Sequence, residues 1–306
     1  MERFDKNCVI SNTAANGGET ILRQGKRWTV LTRTPKSRVV FCRFHKMHGL
    51  GNDFVILDAR DEAVAMTPAL AARLADRHRG IGCDQVIVLM PSTEADIRMV
   101  IYNADGGLAE ACGNAARCVG ALTGSKRIET PGGTIKCEMT GSDVEVVMGE
   151  PRFGWNEIPL AYAMDTTALP MAWDEFSRPT AINVGNPHLV FFAEEIDEAR
   201  LRVVGPVIEH DATFPQRINV NLAVVERGGI RLRTWERGAG LTMACGTGAC
   251  ATAVAAIVSK RVASPVTVRM AGGDLLISWS PGEPVRMRGA ATHVFGGEID
   301  LAVFEA

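Results

Sequence analysis

Two stretches of the sequence resemble one another: RMVIYNADGGLAEACGNAARCVG at residues 98–120 and RLRTWERGAGLTMACGTGACATA at residues 231–253. They align without a gap at an offset of 133 residues, and seven of the 23 aligned positions are identical. At an offset of 134, further residues match in the same order, namely Gly51-Asn52 with Gly185-Asn186 and Gln85 with Asn219. Separate segments that match at nearly one offset indicate an internal repeat. The sequence therefore predicts a duplicated half-domain.

Short apolar runs bounded by glycine and polar turns surround both copies, which is typical of buried strands. We predict strands at 53–58, 85–90, 97–102, 134–139, 143–148, 181–184, 188–192, 219–225 and 230–235, and further strands within 265–303. Helices are predicted from Thr67-Pro68 to about His78, at 112–122 and at 246–260, the first because threonine followed by proline is a common helix start. Strands outnumber helices, so the fold class is predicted to be α+β.

Composition narrows the possible functions. The 306 residues are 46% hydrophobic and 22% charged, which is typical of a globular chain with one large domain or two smaller ones. The net charge of −2 argues against a nucleic-acid-binding protein. Eight cysteines without a Cys-x-x-Cys pair argue against a disulfide scaffold or a zinc ribbon. The polar start predicts no secretory signal, so we expect a cytoplasmic protein.

Two segments differ from the rest of the chain. Residues 1–43 carry a charge of +6, whereas the remainder carries −8, and they show no clear helical or strand periodicity. We interpret them as an atypical extension, with a misassigned start or a basic targeting peptide as open alternatives. Residues 238–259 contain no charged residue, but glycine, threonine and cysteine fill their first half. This composition favours a buried helix over a membrane span.

The repeated cysteines suggest a specific chemistry. The duplication places Cys112 and Cys245 at equivalent helix starts, where the positive end of the helix dipole favours a thiolate. Two half-domains that face each other would put these thiols on opposite sides of one cleft. One thiolate can then remove a proton from a carbon while the other thiol delivers a proton to the opposite face. Backbone N–H groups at Gly113 and Gly246 could hold a carboxylate.

A racemase or epimerase that acts on the carbon next to a carboxylate, most simply in an amino acid, is the function that this arrangement predicts. The other cysteines carry weaker signals. We interpret Cys118, Cys137 and Cys250 as small buried apolar residues.

At these residues the sequence resembles the diaminopimelate epimerase family, whose members need no organic cofactor. The motifs that carry the resemblance are KMHGLGNDFVILD (46–58), RGIGCDQ (79–85), YNADGG (102–107), ACGNAARC (111–118), NVGNPH (183–188), INVN (218–221) and WERGAGLTMACGTGACA (235–251). The resemblance covers residues 44–306.

The resemblance implies roles for individual residues. Cys112 and Cys245 would transfer the protons, and His188 and Glu236 would assist them. Gly113-Asn114 and Gly246-Thr247 would hold the carboxylate on the reacting carbon. The remaining substrate-binding residues would be Asn52, Gln85, Asn103, Asn186, Asn219 and the pair Glu236-Arg237, because asparagine both donates and accepts hydrogen bonds and arginine binds carboxylates.

The resemblance also implies an architecture of two pseudo-symmetric domains, each a mixed, mostly antiparallel sheet wrapped around a central helix. The first half-domain would contain residues 44–156 together with 295–306, and the second residues 157–294. A final strand near 298–303 would return to the first half.

A homodimer that acts on diaminopimelate, without a metal, cofactor, nucleic acid or membrane, is the form that the resemblance implies. Three alternatives stay open: a proline or hydroxyproline racemase-like enzyme, a phenazine-pathway type of isomerase, and a non-catalytic redox sensor that uses Cys112 and Cys245.

Overall fold

The computed structural model describes the backbone of two short strands and residues 41–304 of the chain. The two strands, β1 (Glu19–Gln24) and β2 (Arg27–Thr32), pair antiparallel. They lie within the predicted extension, where no strand pattern had been recognised. The rest of that extension before Phe41, with Cys8, lies outside the described residues. Arg43–Glu298 forms one compact unit, and the described residues before and after it belong to a second.

The first half of the duplicated region contains eight strands and two helices. In chain order these are β3 (Phe41–Gly49), β4 (Asn52–Asp58), α1 (Pro68–Ala75), β5 (Gln85–Met90), β6 (Ile97–Asn103), β7 (Leu108–Ala109), α2 (Gly113–Thr123), β8 (Arg127–Thr130), β9 (Gly133–Thr140) and β10 (Asp143–Gly149). β4 and β5 are parallel, as are β6 and β8. The pairs β3–β4, β5–β6, β6–β7, β8–β9 and β9–β10 are antiparallel.

The second half repeats this plan after a short hairpin, β11 (Ala172–Trp173) and β12 (Phe176–Ser177). Its elements are β13 (Thr180–Asn183), β14 (Pro187–Phe192), α3 (Glu198–Glu209), β15 (Asn219–Glu226), β16 (Gly229–Glu236), β17 (Gly240–Leu241), α4 (Gly246–Val258), β18 (Val266–Met270), β19 (Gly273–Ser278) and β20 (Val285–Ala290). Each pairing of the first half recurs with the same direction. The predicted duplication and the α+β class are confirmed.

The two halves are joined through their last strands. β10 and β20 pair antiparallel, with Val146 opposite Met287. A final strand, β21 (Thr292–Asp300), lies beside β3, and Leu301–Phe304 forms a 3₁₀ helix. The predicted strand at 298–303 was therefore wrong in position. The strand ends at Asp300 because its side chain accepts the backbone N–H of Ala302 at 3.0 Å, which turns the chain.

The equivalent helices α2 and α4 form the centre of the fold. Nearly all residues of α4 are buried, and residues of both helices belong to one apolar core with strands of both halves. An all-round apolar surface suits such a buried helix. This explains the uncharged run at 238–259. α4 has 13 residues, about 20 Å of helix. No helix in the described part of the chain has the length and apolarity that a membrane crossing requires.

The outer helices show where the predictions succeeded and where they failed. Thr67 caps α1 as predicted, accepting the Leu70 N–H at 3.2 Å, but the helix ends at Ala75, before the predicted His78. It ends there because the Asp76 side chain accepts the next backbone N–H groups at 2.7 and 2.9 Å. α3 was not predicted, because Gly205-Pro206 reads as a break. Its apolar residues Leu201, Val204 and Ile208 nevertheless pack into a second apolar core.

Candidate active site

Each half presents one cysteine at the start of its central helix. Cys112 and Cys245 are the N-cap residues of α2 and α4, and both have an extended backbone, with φ of −146° and −123°. The N-terminal end of a helix carries partial positive charge and unpaired N–H groups. Each thiol therefore lies where a nearby negative charge is stabilised.

The two helix starts meet around Met287, on the strand that joins the halves. A Cβ atom on Gly113 would lie 2.7 Å from Met287 Cε, and one on Gly246 would lie 3.1 Å from Met287 Sδ. The Gly246 position is also 3.2 Å from Asn114 Oδ1. Glycine after each cysteine thus lets the two helix starts pack closely against Met287, which a side chain at either position would displace. Both cysteine turns consequently border one small region.

Asn52 contacts the cysteine turn of the first half. The Cys112 thiol lies 3.9 Å from Asn52 Oδ1, and Asn114 donates to the same oxygen at 3.1 Å. Asn52 in turn donates from Nδ2 to Asp84 at 3.0 Å. The preceding Gly51 faces the second half, since a Cβ atom there would lie 3.5 Å from Met243 Cε. The β3–β4 turn therefore reaches across to the loop that carries Cys245.

A charged network holds this turn in place. Asp53 pairs with Lys46 at 2.5 Å and with Arg77 at 2.7 Å, and Arg77 also pairs with Asp84 at 2.7 Å. Burial alone would raise the pKa of Asp53, but hydrogen bonds from Arg77 and Lys46 outweigh it and hold that pKa far below its ordinary value. Asp84, which accepts the hydrogen bond from the Asn52 amide, is held in place by its ion pair with Arg77.

Glu236 and Thr247 surround the cysteine of the second half. The Cys245 sulfur accepts the Gly248 backbone N–H at 3.3 Å and lies 3.5 Å from Thr247 Oγ1. The Glu236 carboxylate also faces this thiol and accepts the Thr242 hydroxyl at 2.5 Å. Burial raises the pKa of Glu236, because the charged carboxylate is removed from water. A carboxylate beside a thiol disfavours the thiolate form.

The two thiols are therefore unequal. Burial raises the pKa of Cys245 well above its ordinary value, and the charge of Glu236 raises it further. Burial also raises the pKa of Cys112, but the backbone N–H groups of Ala115 and Asn114 and the charge of Arg117 act in the opposite direction. Cys112 is the thiol whose surroundings accept a negative charge more readily.

His188 is fully buried, and both of its ring nitrogens are engaged. Asn221 Nδ2 lies 3.1 Å from Nδ1, and His188 Nε2 lies 2.9 Å from Asn186 Oδ1. An amide nitrogen only donates, so Nδ1 accepts and the proton is on Nε2, which donates to Asn186. Burial, followed by the charge of Arg237, lowers the pKa of His188 to about 3. His188 is thus a neutral ring that orients Asn186.

Gln85 and Asn219 begin the equivalent strands β5 and β15, and each forms a hydrogen-bonded pair with another predicted site residue. Gln85 donates to Asn103 Oδ1 at 2.9 Å, and its own Oε1 is buried with no hydrogen-bond partner among the described residues. Asn219 accepts the backbone N–H of Arg237 at 2.9 Å and donates to the carbonyl of Pro187 at 2.8 Å. Gln85 therefore keeps an open acceptor, whereas Asn219 fixes the turn that carries Glu236 and Arg237.

The structure groups most of the predicted residues. Those around the paired helix starts are Cys112, Gly113, Asn114, Asn52, Cys245, Gly246, Thr247 and Glu236. Asn186 with His188, Gln85 with Asn103, and Asn219 with Arg237 form separate hydrogen-bonded pairs. Sequence reasoning missed Asp84, Thr242, Asn221 and Met287. Asp84 precedes Gln85 in a motif already recognised, but Met287 reads as an ordinary strand residue and gave no signal.

Four other cysteines are buried away from the paired helix starts. Cys118, Cys137 and Cys250 are buried, as predicted, and burial raises their pKa values to about 12, 11 and 12. Burial likewise raises the pKa of Cys83 to about 11. Among the described residues, no group of three or more His, Cys, Asp or Glu side chains is placed to hold a metal ion.

Comparison with known proteins adds independent information. The family model of diaminopimelate epimerase matches residues 44–154 and 180–294. A diaminopimelate epimerase from Rhizorhabdus wittichii is 60% identical over 267 residues, which cover 86% of this chain and 97% of that protein.

Solved structures at low sequence identity share the fold. A hydroxyproline epimerase from Agrobacterium vitis has a TM-score of 0.60 at 14% identity, covering 85% of this chain and 92% of that one. A phenazine biosynthesis protein of the PhzF family from Bacillus anthracis has a TM-score of 0.62 at 13% identity, covering 85% and 99%. The fold alone therefore does not discriminate between the activities that these names describe.

Proposed function

Because the chain belongs to the diaminopimelate epimerase family, we propose that it converts LL-2,6-diaminopimelate to the meso form, and back, without pyridoxal phosphate. The family is one of isomerases. A place in lysine and peptidoglycan precursor synthesis is part of the proposal. The observation that supports it most strongly is the pair of cysteine N-caps, one from each half, around Met287 and Asn114.

The proposed reaction is a two-thiol proton exchange. The Cys112 thiolate takes the α-hydrogen as a proton, and the electron pair of the C–H bond passes to the carbon and its carboxylate. The Cys245 thiol then gives its proton to the opposite face of the carbon. The enzyme is left with a thiol at Cys112 and a thiolate at Cys245, which is the form that starts the reverse reaction.

The helix starts supply the electrostatic part of catalysis. Gly113-Asn114 and Gly246-Thr247 begin α2 and α4, and their backbone N–H groups would receive the carboxylate on the reacting carbon, as helix N-termini receive anions. Negative charge builds up on this carboxylate as the proton leaves, so donors aimed at it lower the barrier. No metal or organic cofactor has a role in this mechanism.

Polar groups farther from the two sulfurs would hold the distal amino acid end of the substrate. Asn52 and Asn186 occupy equivalent turns, each fixed by a hydrogen-bonded neighbour. Arg237 is exposed and offers bidentate binding to a carboxylate. Gln85 Oε1 is an unsatisfied acceptor that an ammonium group could fill. Asn103 and Asn219 would position Gln85 and Arg237. His188 would act by holding Asn186 rather than by transferring a proton.

The test is proton NMR of LL-diaminopimelate with the reduced protein in D₂O. We expect exchange at one α-carbon and the appearance of the meso form. Cys112→Ser and Cys245→Ser should each slow epimerisation greatly, whereas Cys250→Ser, a buried cysteine of the same helix α4, serves as the matched control. Full turnover in either of the first two variants would exclude the two-thiol mechanism.

The same assay, repeated with proline and hydroxyproline as substrates, tests two of the alternatives. Racemisation of proline or hydroxyproline in place of diaminopimelate would favour the proline racemase-like enzyme. A redox sensor would epimerise neither, although its Cys112 and Cys245 would still react with oxidants.

The assembly and its location are also proposals. We expect a homodimer in the cytoplasm, with half-domains at residues 44–156 plus 295–306 and at residues 157–294. The recurrence of the same order of elements in β3–β10 and β13–β20 supports two half-domains that divide between residues 149 and 180. Light scattering at several protein concentrations would measure the oligomeric state.

A further inference from the structure

Arg117 is the largest fully buried side chain of the described chain, with 0% of its surface exposed. It lies on α2, five residues after Cys112. At the repeat offset of 133, its counterpart on α4 is Cys250. The first half therefore carries a buried cation where the second half carries a small neutral side chain.

Neighbouring groups balance the positive charge of the Arg117 guanidinium poorly and leave part of its hydrogen-bonding capacity unused. Nε donates to the Ala290 carbonyl at 3.4 Å, and Nη1 lies 3.6 Å from Met287 Sδ. Nη2 has no hydrogen-bond partner among the residues that the structure describes. Asp143 acts on Arg117 electrostatically but forms its ion pair with Arg288, at 3.7 Å. A buried cation in this state is costly unless another negative charge balances it.

The surroundings of Arg117 indicate where a balancing negative charge would lie. A Cβ atom on Gly49 would lie 2.9 Å from Arg117 Nη2 and 3.3 Å from Asn114 Cβ, so the guanidinium packs beside Asn114. Met287, which contacts Nη1, also reaches the first residues of α2 and α4. Arg117 therefore lies directly beneath the region bordered by the two cysteine turns.

The charged and titratable groups around this region come from four elements. Cys112 and Cys118 on α2, Cys250 on α4 and Asp143 on β10 act on Arg117. Glu236 on β16 acts on both Cys112 and Cys245. Glu236 disfavours a thiolate at both cysteines, and at Cys245 its charge is the largest effect after burial. At Cys112 the cation Arg117 acts against it, so the two thiols have unequal surroundings.

We propose that Arg117 is a positioning residue that acts through its charge: it stabilises negative charge at Cys112 in preference to Cys245, and so selects the thiol that serves first as the base. The inference rests on the proposed two-thiol function. Arg117 in the first half and Cys250 in the second occupy equivalent positions of the repeat. This one difference would make the two duplicated thiols unequal.

The test is alkylation of the whole protein by iodoacetamide as a function of pH, with Cys112 and Cys245 quantified separately by peptide mass spectrometry. In Arg117→Gln and Arg117→Met, we expect the midpoint for Cys112 to move upward by about one pH unit or more, because a nearby cation is lost. Arg117→Lys retains the cation and should stay close to wild type. The midpoint for Cys245 should move less in every variant.

An unchanged alkylation midpoint for Cys112 in a folded neutral variant would overturn the proposal. Equal shifts at Cys112 and Cys245 would also overturn it, because they indicate a general loosening of the structure. Methionine replaces a buried charge with an apolar chain, a change that folds often tolerate. If neither neutral variant folds while the lysine variant does, Arg117 is a structural residue and the proposal fails. Because no substrate is used, absence of epimerase activity would refute the proposed function without affecting this measurement.

Discussion

Gly248→Ala is a substitution whose effect can be worked out from the packing beside Cys245. A Cβ atom on Gly248 would lie 2.7 Å from Asn221 Oδ1 and 2.9 Å from Thr234 Oγ1, too close for either contact. These two atoms share a hydrogen bond of 2.9 Å, and both residues are buried. The methyl group must therefore push this pair apart. Asn221 also donates to His188, so the displacement is passed to His188 and Asn186.

The magnitudes follow from opposing contributions. Loss of a buried hydrogen bond costs about 1–3 kcal/mol, while alanine gains about 1 kcal/mol over glycine in a helix. The net loss of stability is therefore about 1 kcal/mol, a fall in Tm of roughly 2 °C for a chain of this size. Activity should suffer more, since misplaced binding groups can lower kcat/KM by about 10-fold to 100-fold.

Thermal unfolding by circular dichroism and epimerisation kinetics by NMR measure the two effects. Ala253→Gly, five residues after Gly248 on the same buried helix, is the matched control, because it costs about 1 kcal/mol of helix stability away from the cysteine. The control should lose stability and keep its kcat/KM. A Gly248→Ala variant with wild-type kcat/KM, or with a higher Tm than wild type, would refute the reasoning.

Three other perturbations have clear directions. Glu236→Gln should lower the pKa of Cys245, since the carboxylate raises it, so Cys245 should be alkylated at lower pH; an unchanged profile would contradict this. His188 has a pKa of about 3 in the folded protein and an ordinary value of 6.5, so the unfolded state binds the proton first as pH falls. Its contribution to stability is present above pH 6.5 and is lost as pH falls toward 3. Denaturant unfolding should be less acid-sensitive in His188→Gln, and equal sensitivity would indicate a charged ring. Arg77→Met should raise KM several-fold with little effect on kcat, because Arg77 fixes Asp84, which holds Asn52. The stability loss should stay near 1 kcal/mol because Arg77 is half-exposed, and a large loss of kcat with unchanged KM would contradict this role.

Most of the fold that could be predicted from the sequence followed from the internal repeat. An offset of 133 residues predicted the equivalence of α2 and α4, and the structure shows the same order of elements in both halves. The elements that were missed or misplaced depended on local details that a hydrophobic pattern does not show. α3 contains Gly205 and Pro206, which obscured its apolar pattern, and β21 ends at Asp300 because of a local side-chain hydrogen bond.

The candidate site was predictable in its residues but not in its asymmetry. Motifs identified the cysteine turns and the asparagines, because these residue types have chemical roles at those places. They did not indicate that Met287 separates the two helix starts, since a methionine in a strand resembles any core residue. Nor did they indicate that His188 is neutral, because that depends on Asn186 and Asn221 meeting the ring from two sides.

The central claim is that two different sulfur atoms face opposite sides of one carbon. Mass spectrometry of substrate and product at early conversion in D₂O tests it most directly. The acid thiol carries solvent deuterium and the base receives the substrate proton, so the meso product should contain one deuterium while the remaining LL substrate contains none. Product that keeps the original hydrogen at the inverted carbon would show that a single group transfers the proton, and would contradict the account.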